Sequence, residues 1–149
     1  MARSLGRRLA AEDGSAVIEL TWLGILLLVP LIYLVLMIAR LQAGSYAVAQ
    51  ASREAGRAYI TAPEAGSAEP RAQAAAAIAF ADQGFADEGR LEVSCSAAPC
   101  FTPEGEVTTT AEVDVPLPLV PEVARDVVPL EVPVSATQVS TVPRYEAPR

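Results

Sequence analysis

Three sets of residues in this chain have the types and spacing to do chemistry: a glutamate beside an apolar run, a pair of cysteines, and a scatter of acids. Glu19 stands directly before residues 20–39, twenty consecutive positions without a charge. A carboxylate inside an apolar span costs up to about 2.5–3.5 kcal/mol at the centre and less near the edge. Glu19 therefore needs a cationic partner, or it snorkels to interfacial water. Cys95 and Cys100 enclose Ser-Ala-Ala-Pro, and bonding them would close a loop that chain entropy rewards with roughly 2 kcal/mol. As metal ligands they supply two thiolates and no imidazole, short of the four that a structural zinc takes. Asp82, Asp87, Glu88 and Glu92 read as a solvated acidic face, not as a paired-carboxylate active site.

Composition narrows the chemistry further. All 11 basic residues are Arg, and the chain has no His, the side chain that changes charge near neutral pH and the commonest metal ligand. No catalytic set, cofactor motif or metal site can be read, and an enzymatic function is not expected. Residues 1–14 carry three Arg and two acids, whereas residues 15–149 carry eight Arg and 16 acids, within a net charge of −7. Phosphate binding needs a basic face, so nucleic acid is not an expected partner.

The elements that must position these residues begin with the apolar run. The chain is 52% hydrophobic and 19% charged, with a mean hydropathy of +0.32. That excess is concentrated in residues 20–39, whose twenty helical residues match the ~30 Å hydrocarbon core of a bilayer. The lipid bilayer is thus an expected partner. Arg3, Arg7 and Arg8 before the run balance Arg40, Arg53 and Arg57 after it, so the charge rule for orientation ties. A secretory signal peptide, cut near Ala49 or Ala51, is the competing reading, but its apolar core is normally about 7–15 residues long.

Beyond Arg40 the Ala-, Gln-, Arg- and Glu-rich sequence keeps helical character, so the span is expected to continue outside the membrane as a rod of about 45 residues. Pro30 should bend it, which membrane helices tolerate. Gly24 would permit close approach of a second helix. Residues 61–70 read as a loop, and a second helix over residues 70–83 is expected to bury Ala74, Ala77, Ile78, Ala81 and Phe85. From Arg90 the apolar period falls from 3.6 to 2. Three strands are predicted, through Leu91, Val93 and Cys95, then residues 107–115, then residues 130–136. A short helix is expected over residues 122–128 and a frayed end over residues 143–149. The predicted fold is α+β: a long N-terminal transmembrane helix continuing outside the membrane, a second short helix, and a small antiparallel three-stranded sheet with the helices on one face.

The string Asp13-Gly14-Ser15-Ala16-Val17-Ile18-Glu19, joined directly to the apolar run, resembles the processing site of the type IV pilin superfamily. Together with the Arg-bearing leader, Pro30, the segment over residues 49–58 and the strand-rich end, the chain is similar to the TadE-like minor pilins, or pseudopilins, of tight adherence (Flp) pilus systems. The resemblance is sharp over residues 13–60 and looser beyond. The family usually has an aromatic residue after the Glu, where this chain has Leu20, and the chain is about twice as long as a major Flp pilin. That length fits a minor subunit.

The resemblance implies a cytoplasmic leader over residues 1–14, a transmembrane helix and its extension over residues 15–60, and an extracytoplasmic domain over residues 61–149. It implies cleavage after Gly14 by a prepilin peptidase, with Glu19 as the fifth residue of the mature chain, and partnership with other pilins and the assembly machinery. The protein is then expected in a bacterial inner membrane or in a pilus. Glycine before the cut lets extended backbone enter a protease cleft without a side-chain clash. The cut would also free an α-amine on Ser15, with a reference pKa near ~8 and so mostly protonated at neutral pH. That amine, on the same or a neighbouring helix, is a partner for Glu19. The rival reading is an unprocessed single-pass anchor carrying a binding or adhesion domain.

Overall fold

The computed structural model describes the backbone of residues 5–118 and 131–144, and side chains from residue 17 onward. In chain order it contains α1 (Leu5–Ile60), α2 (Ala65–Asp82), β1 (Gly89–Cys95), β2 (Glu106–Pro116) and β3 (Glu131–Thr141). The fold is α+β with the expected set of elements. The short helix expected over residues 122–128 lies outside the described residues, as do residues 145–149. The chain divides after Ile38 into two compact units.

The first unit is the N-terminal part of α1. The helix runs without a break through Pro30 and is described from Leu5 onward. Its large apolar side chains face outward, with Leu20, Trp22 and Leu26 each about two-thirds exposed or more. Among the described residues this is one helix long and apolar enough to cross a membrane. The Thr21 hydroxyl donates to the carbonyl of Val17 at 2.8 Å, so the polar group is satisfied inside the helix. A Cβ at Gly24 would meet nothing within 4 Å.

The second unit has its core between the helices and one face of the sheet. The strands form an antiparallel meander in the order β1-β2-β3. Central β2 alternates strictly, burying Val107, Thr109, Ala111, Val113 and Val115. Edge strands β1 and β3 alternate between exposed and half-buried, because each lacks a neighbour on one side. β3 runs five residues further than predicted, to Thr141. Its tail is held by the Val142 N–H donating to Gly105 O at 2.9 Å, while Val142 O accepts from the Glu104 N–H at 3.1 Å. That parity turns the backbone groups of residues 133, 135, 137 and 139 toward the open edge. Pro133 thus sits where its missing N–H removes no ladder bond. Gln138 Nε2 donates to Val139 O at 2.8 Å, which occupies another open-edge acceptor.

α1 crosses the inner sheet face on a stripe of small residues at helical spacing: Gly44, Ala47, Val48, Ala51, Ser52, Ala55 and Gly56, all buried. A Cβ at Gly44 would overlap Val115 Cγ2. One at Gly56 would lie 2.6 Å from Ser140 Oγ and 3.2 Å from Thr109 Oγ1. These two contacts set α1 antiparallel to β2. Buried Thr109 donates to the carbonyl of Ser52 at 2.8 Å, pinning helix to strand.

α2 differs from the expectation on two points. It starts at Ala65, not at Pro70, and carries Pro70 inside its second turn. It also buries Ala68, Ala72, Ala76, Ala79 and Phe80, while Ala74, Ala77, Ile78 and Ala81 face outward. In the run Ala74-Ala75-Ala76-Ala77 every face is equally apolar, so periodicity cannot choose between them. Packing chose the face that continues to Phe80, whose ring lies where a Cβ on Gly89 would be. Starting at Ala65 adds the fully buried Ala68 to that face.

Candidate functional site

Gly14 and Ser15 lie within the helical backbone of α1, and their side chains lie outside the described residues. Glu19 follows four residues after Ser15 on the same helix and is exposed. Positions i and i+4 share a helix face about 6 Å apart, so an amine at residue 15 would stand on the Glu19 side. The string, the carboxylate and the apolar run are therefore carried by one continuous helix. That same helix supplies the Gly44–Gly56 stripe on which the sheet rests.

The cysteines are joined. Cys95 ends β1 and Cys100 follows in the β1–β2 connection, with Cα atoms 5.4 Å apart. The disulfide sits beside the last turn of α1. Tyr59 stacks on Phe101 with ring centroids 5.4 Å apart and planes 8° from parallel. The Tyr59 hydroxyl lies 3.8 Å from Cys95 Sγ. A disulfide sulfur carries no hydrogen, so the phenol donates. Tyr59 is buried, and burial, with a smaller contribution from the Glu69 carboxylate, pushes its phenol above the usual tyrosine value. This cluster joins α1, β1 and the β1–β2 connection at the end of the domain remote from Arg40. Around it, Ser96 N–H donates to Glu106 O at 2.9 Å, and Glu104 and Arg144 form an ion pair.

At the opposite end, where α1 enters the domain, the Arg40 guanidinium lies 5.1 Å from the centre of the buried Phe85 ring. This cation–π contact joins the first charged residue after the apolar run to the α2–β1 connection. Phe85 was expected on the apolar face of α2 and is buried, but it follows the helix.

Asp82, Asp87, Glu88 and Glu92 are all exposed. Among the described residues, no group of three or more His, Cys, Asp or Glu side chains is placed to hold a metal ion. The sequence did not single out Tyr59 or Phe101, and it read Arg40 only as a charge flanking the apolar run. Their signal was weak because an isolated aromatic or Arg in an Ala-rich helix has no partner until the chain is folded.

No family model, no curated protein and no solved structure matches this chain.

Proposed function

We propose that this protein is a TadE-like minor pilin, or pseudopilin, that takes part in assembling a tight adherence (Flp) pilus. In this reading it is inserted in a bacterial inner membrane with its N-terminus in the cytoplasm and is processed after Gly14 by a prepilin peptidase. The observation that carries the reading is α1 itself. One unbroken helix holds the Asp13-Gly14-Ser15 string, then Glu19, then the outward-facing apolar run, then the small-residue stripe that seats an α+β domain. An anchor and an assembly helix are here the same element. The Cys95–Cys100 disulfide supports an oxidising, extracytoplasmic side for the domain.

Packing also weighs against a cut near Ala49 or Ala51. Such a cut would remove Gly44, which lies against Val115 and Val113, together with the buried Ala47 and Val48, and would uncover part of the core at that end. The intact mass of the protein purified from its native membrane tests the reading. A mature chain beginning at Ser15 is expected. Retention of residues 1–14 would instead favour a single-pass anchor carrying a binding or adhesion domain.

A further inference from the structure

We propose that the outward face of α1 in the domain, built on Tyr46, Gln50, Arg53 and Arg57, docks the acidic outer face of the sheet of a second copy of this chain. The argument begins with charge. Residues 39–149 carry 15 acids against eight Arg, so two exposed Arg on one helix face, with Glu54 at its edge, are a local exception. Arg53 and Arg57, one helical turn apart, are both exposed. Among the described residues neither is in an ion pair. Arg53 lines a groove of about 370 Å³ with Tyr46, Ala49, Gln50, Glu54 and Gln83, and Tyr46 is 69% exposed.

The sheet supplies the complement. Its outer face presents the exposed carboxylates of Glu92, Glu106 and Glu112. The Arg on that face, Arg90, is already paired with Asp114 at 2.8 Å. Between the acids lie hydroxyls, with Thr110 and Thr137 Oγ1 atoms 3.2 Å apart. The face is therefore polar and anionic, a surface that a second hydrophobic layer would not cover and an Arg-bearing helix would.

Register follows from the α1–β2 packing. Gly44 sits at Val115, and Gly56 between Thr109 of β2 and Ser140 of β3. The intervening helix, about 18 Å at 1.5 Å per residue, matches about 20 Å of strand. Arg53 is thereby level with Ala111, next to Glu112. Arg57 is level with Thr109, next to Thr110, whose cross-strand partners are Glu92 on β1 and Thr137 on β3. A second copy of the domain displaced perpendicular to the sheet without rotation keeps these levels. Such a displacement brings the α1 face of one copy onto the outer sheet face of the next. The contact is heterologous and does not close, so repetition gives a row of copies. Confinement to the membrane raises the effective concentration that a small polar interface needs. The inference requires the span alone and is independent of processing at Gly14.

The test uses full-length protein carrying two different tags, co-expressed in one membrane and solubilised in mild detergent. Wild-type copies are expected to co-purify, and to do so less as salt rises from about 0.05 to 0.5 M. Arg53→Glu with Arg57→Glu should lower self-association by about fivefold or more, and Glu92→Arg with Glu112→Arg should do the same. Co-expressing the two variants restores opposite charge at both of the contacts they can form, so their association should return to near the wild-type value. That recovery also shows that both variants fold. Absence of wild-type co-purification, indifference to salt, or undiminished association of either variant would overturn the proposal. So would failure of the mixed pair to recover while both members retain the Cys95–Cys100 disulfide.

Discussion

Gly44 and Val115 are so close that no side chain can stand between them: a Cβ on Gly44 would overlap Val115 Cγ2, with Val113 Cγ1 3.6 Å away. A glycine in the middle of a helix ordinarily costs about 0.5–1 kcal/mol relative to alanine. Its presence here sets how near α1 lies to the central strand.

Gly44→Ala should therefore destabilise the domain, by about 1–3 kcal/mol from overpacking, although the substitution improves helix propensity. Gly66→Ala makes a control, since a Cβ there meets nothing within 4 Å and should leave stability unchanged or slightly higher. Thermal unfolding of the two variants in the same detergent checks the difference in sign.

Cys100→Ser should lower stability by about 2 kcal/mol, the chain-entropy value for a loop this short. Because Phe101, next to Cys100, stacks on Tyr59, the loss should extend to the last turn of α1. Hydrogen exchange at the amides of residues 57–61 reads that extension. In the native protein no thiol should react with an alkylating agent before reduction, and two should react after it.

Tyr59 makes a pH prediction with a definite sign. Burial, and secondarily the Glu69 carboxylate, raises its folded pKa above the unfolded value of 10.0. Between those two values the unfolded chain loses the phenolic proton and the folded chain keeps it. Its contribution to stability is thus fully present below pH 10 and is lost as pH rises through the folded value. Tyr59→Phe should flatten the alkaline fall in stability relative to wild type, measured as the difference between their denaturation midpoints from pH 8 upward.

Under the minor-pilin reading, Glu19→Ala and Glu19→Gln should insert and be cleaved normally, since removing a charge beside an apolar run only favours burial. Pilus formation and co-purification with other pilins should fall. Normal piliation in both variants would reject pairing between Glu19 and the Ser15 amine. Loss of cleavage would show that the peptidase itself reads Glu19. Gly14→Leu should leave an uncut precursor in the membrane, visible as a chain that keeps residues 1–14.

Much of the architecture is local and was therefore legible before folding. Twenty charge-free residues can be read as a membrane-length helix whatever surrounds them, because backbone hydrogen bonding within the helix needs no tertiary partner. The alternation of Val107, Thr109, Ala111, Val113 and Val115 marks a strand with one buried face, since the side-chain period of a strand is two. The five-residue spacing of Cys95 and Cys100 and the absence of His likewise required only the sequence.

What tertiary structure alone decided are the choices between equal alternatives. Four consecutive alanines in α2 offer the same apolar surface on every side, so only the approach of Phe80 to Gly89 selected which of them is buried. Pro70 looks like a helix start in sequence, yet burial of Ala68 carries the helix back to Ala65. The contacts of Tyr59 with Phe101 and Cys95, and of Arg40 with Phe85, join residues 36 or more positions apart, which no local period can encode. The level of Arg53 and Arg57 against the sheet depends on which sheet residues Gly44 and Gly56 meet. That pairing is set by steric exclusion between helix and strand, a property of the packed chain and of neither segment alone.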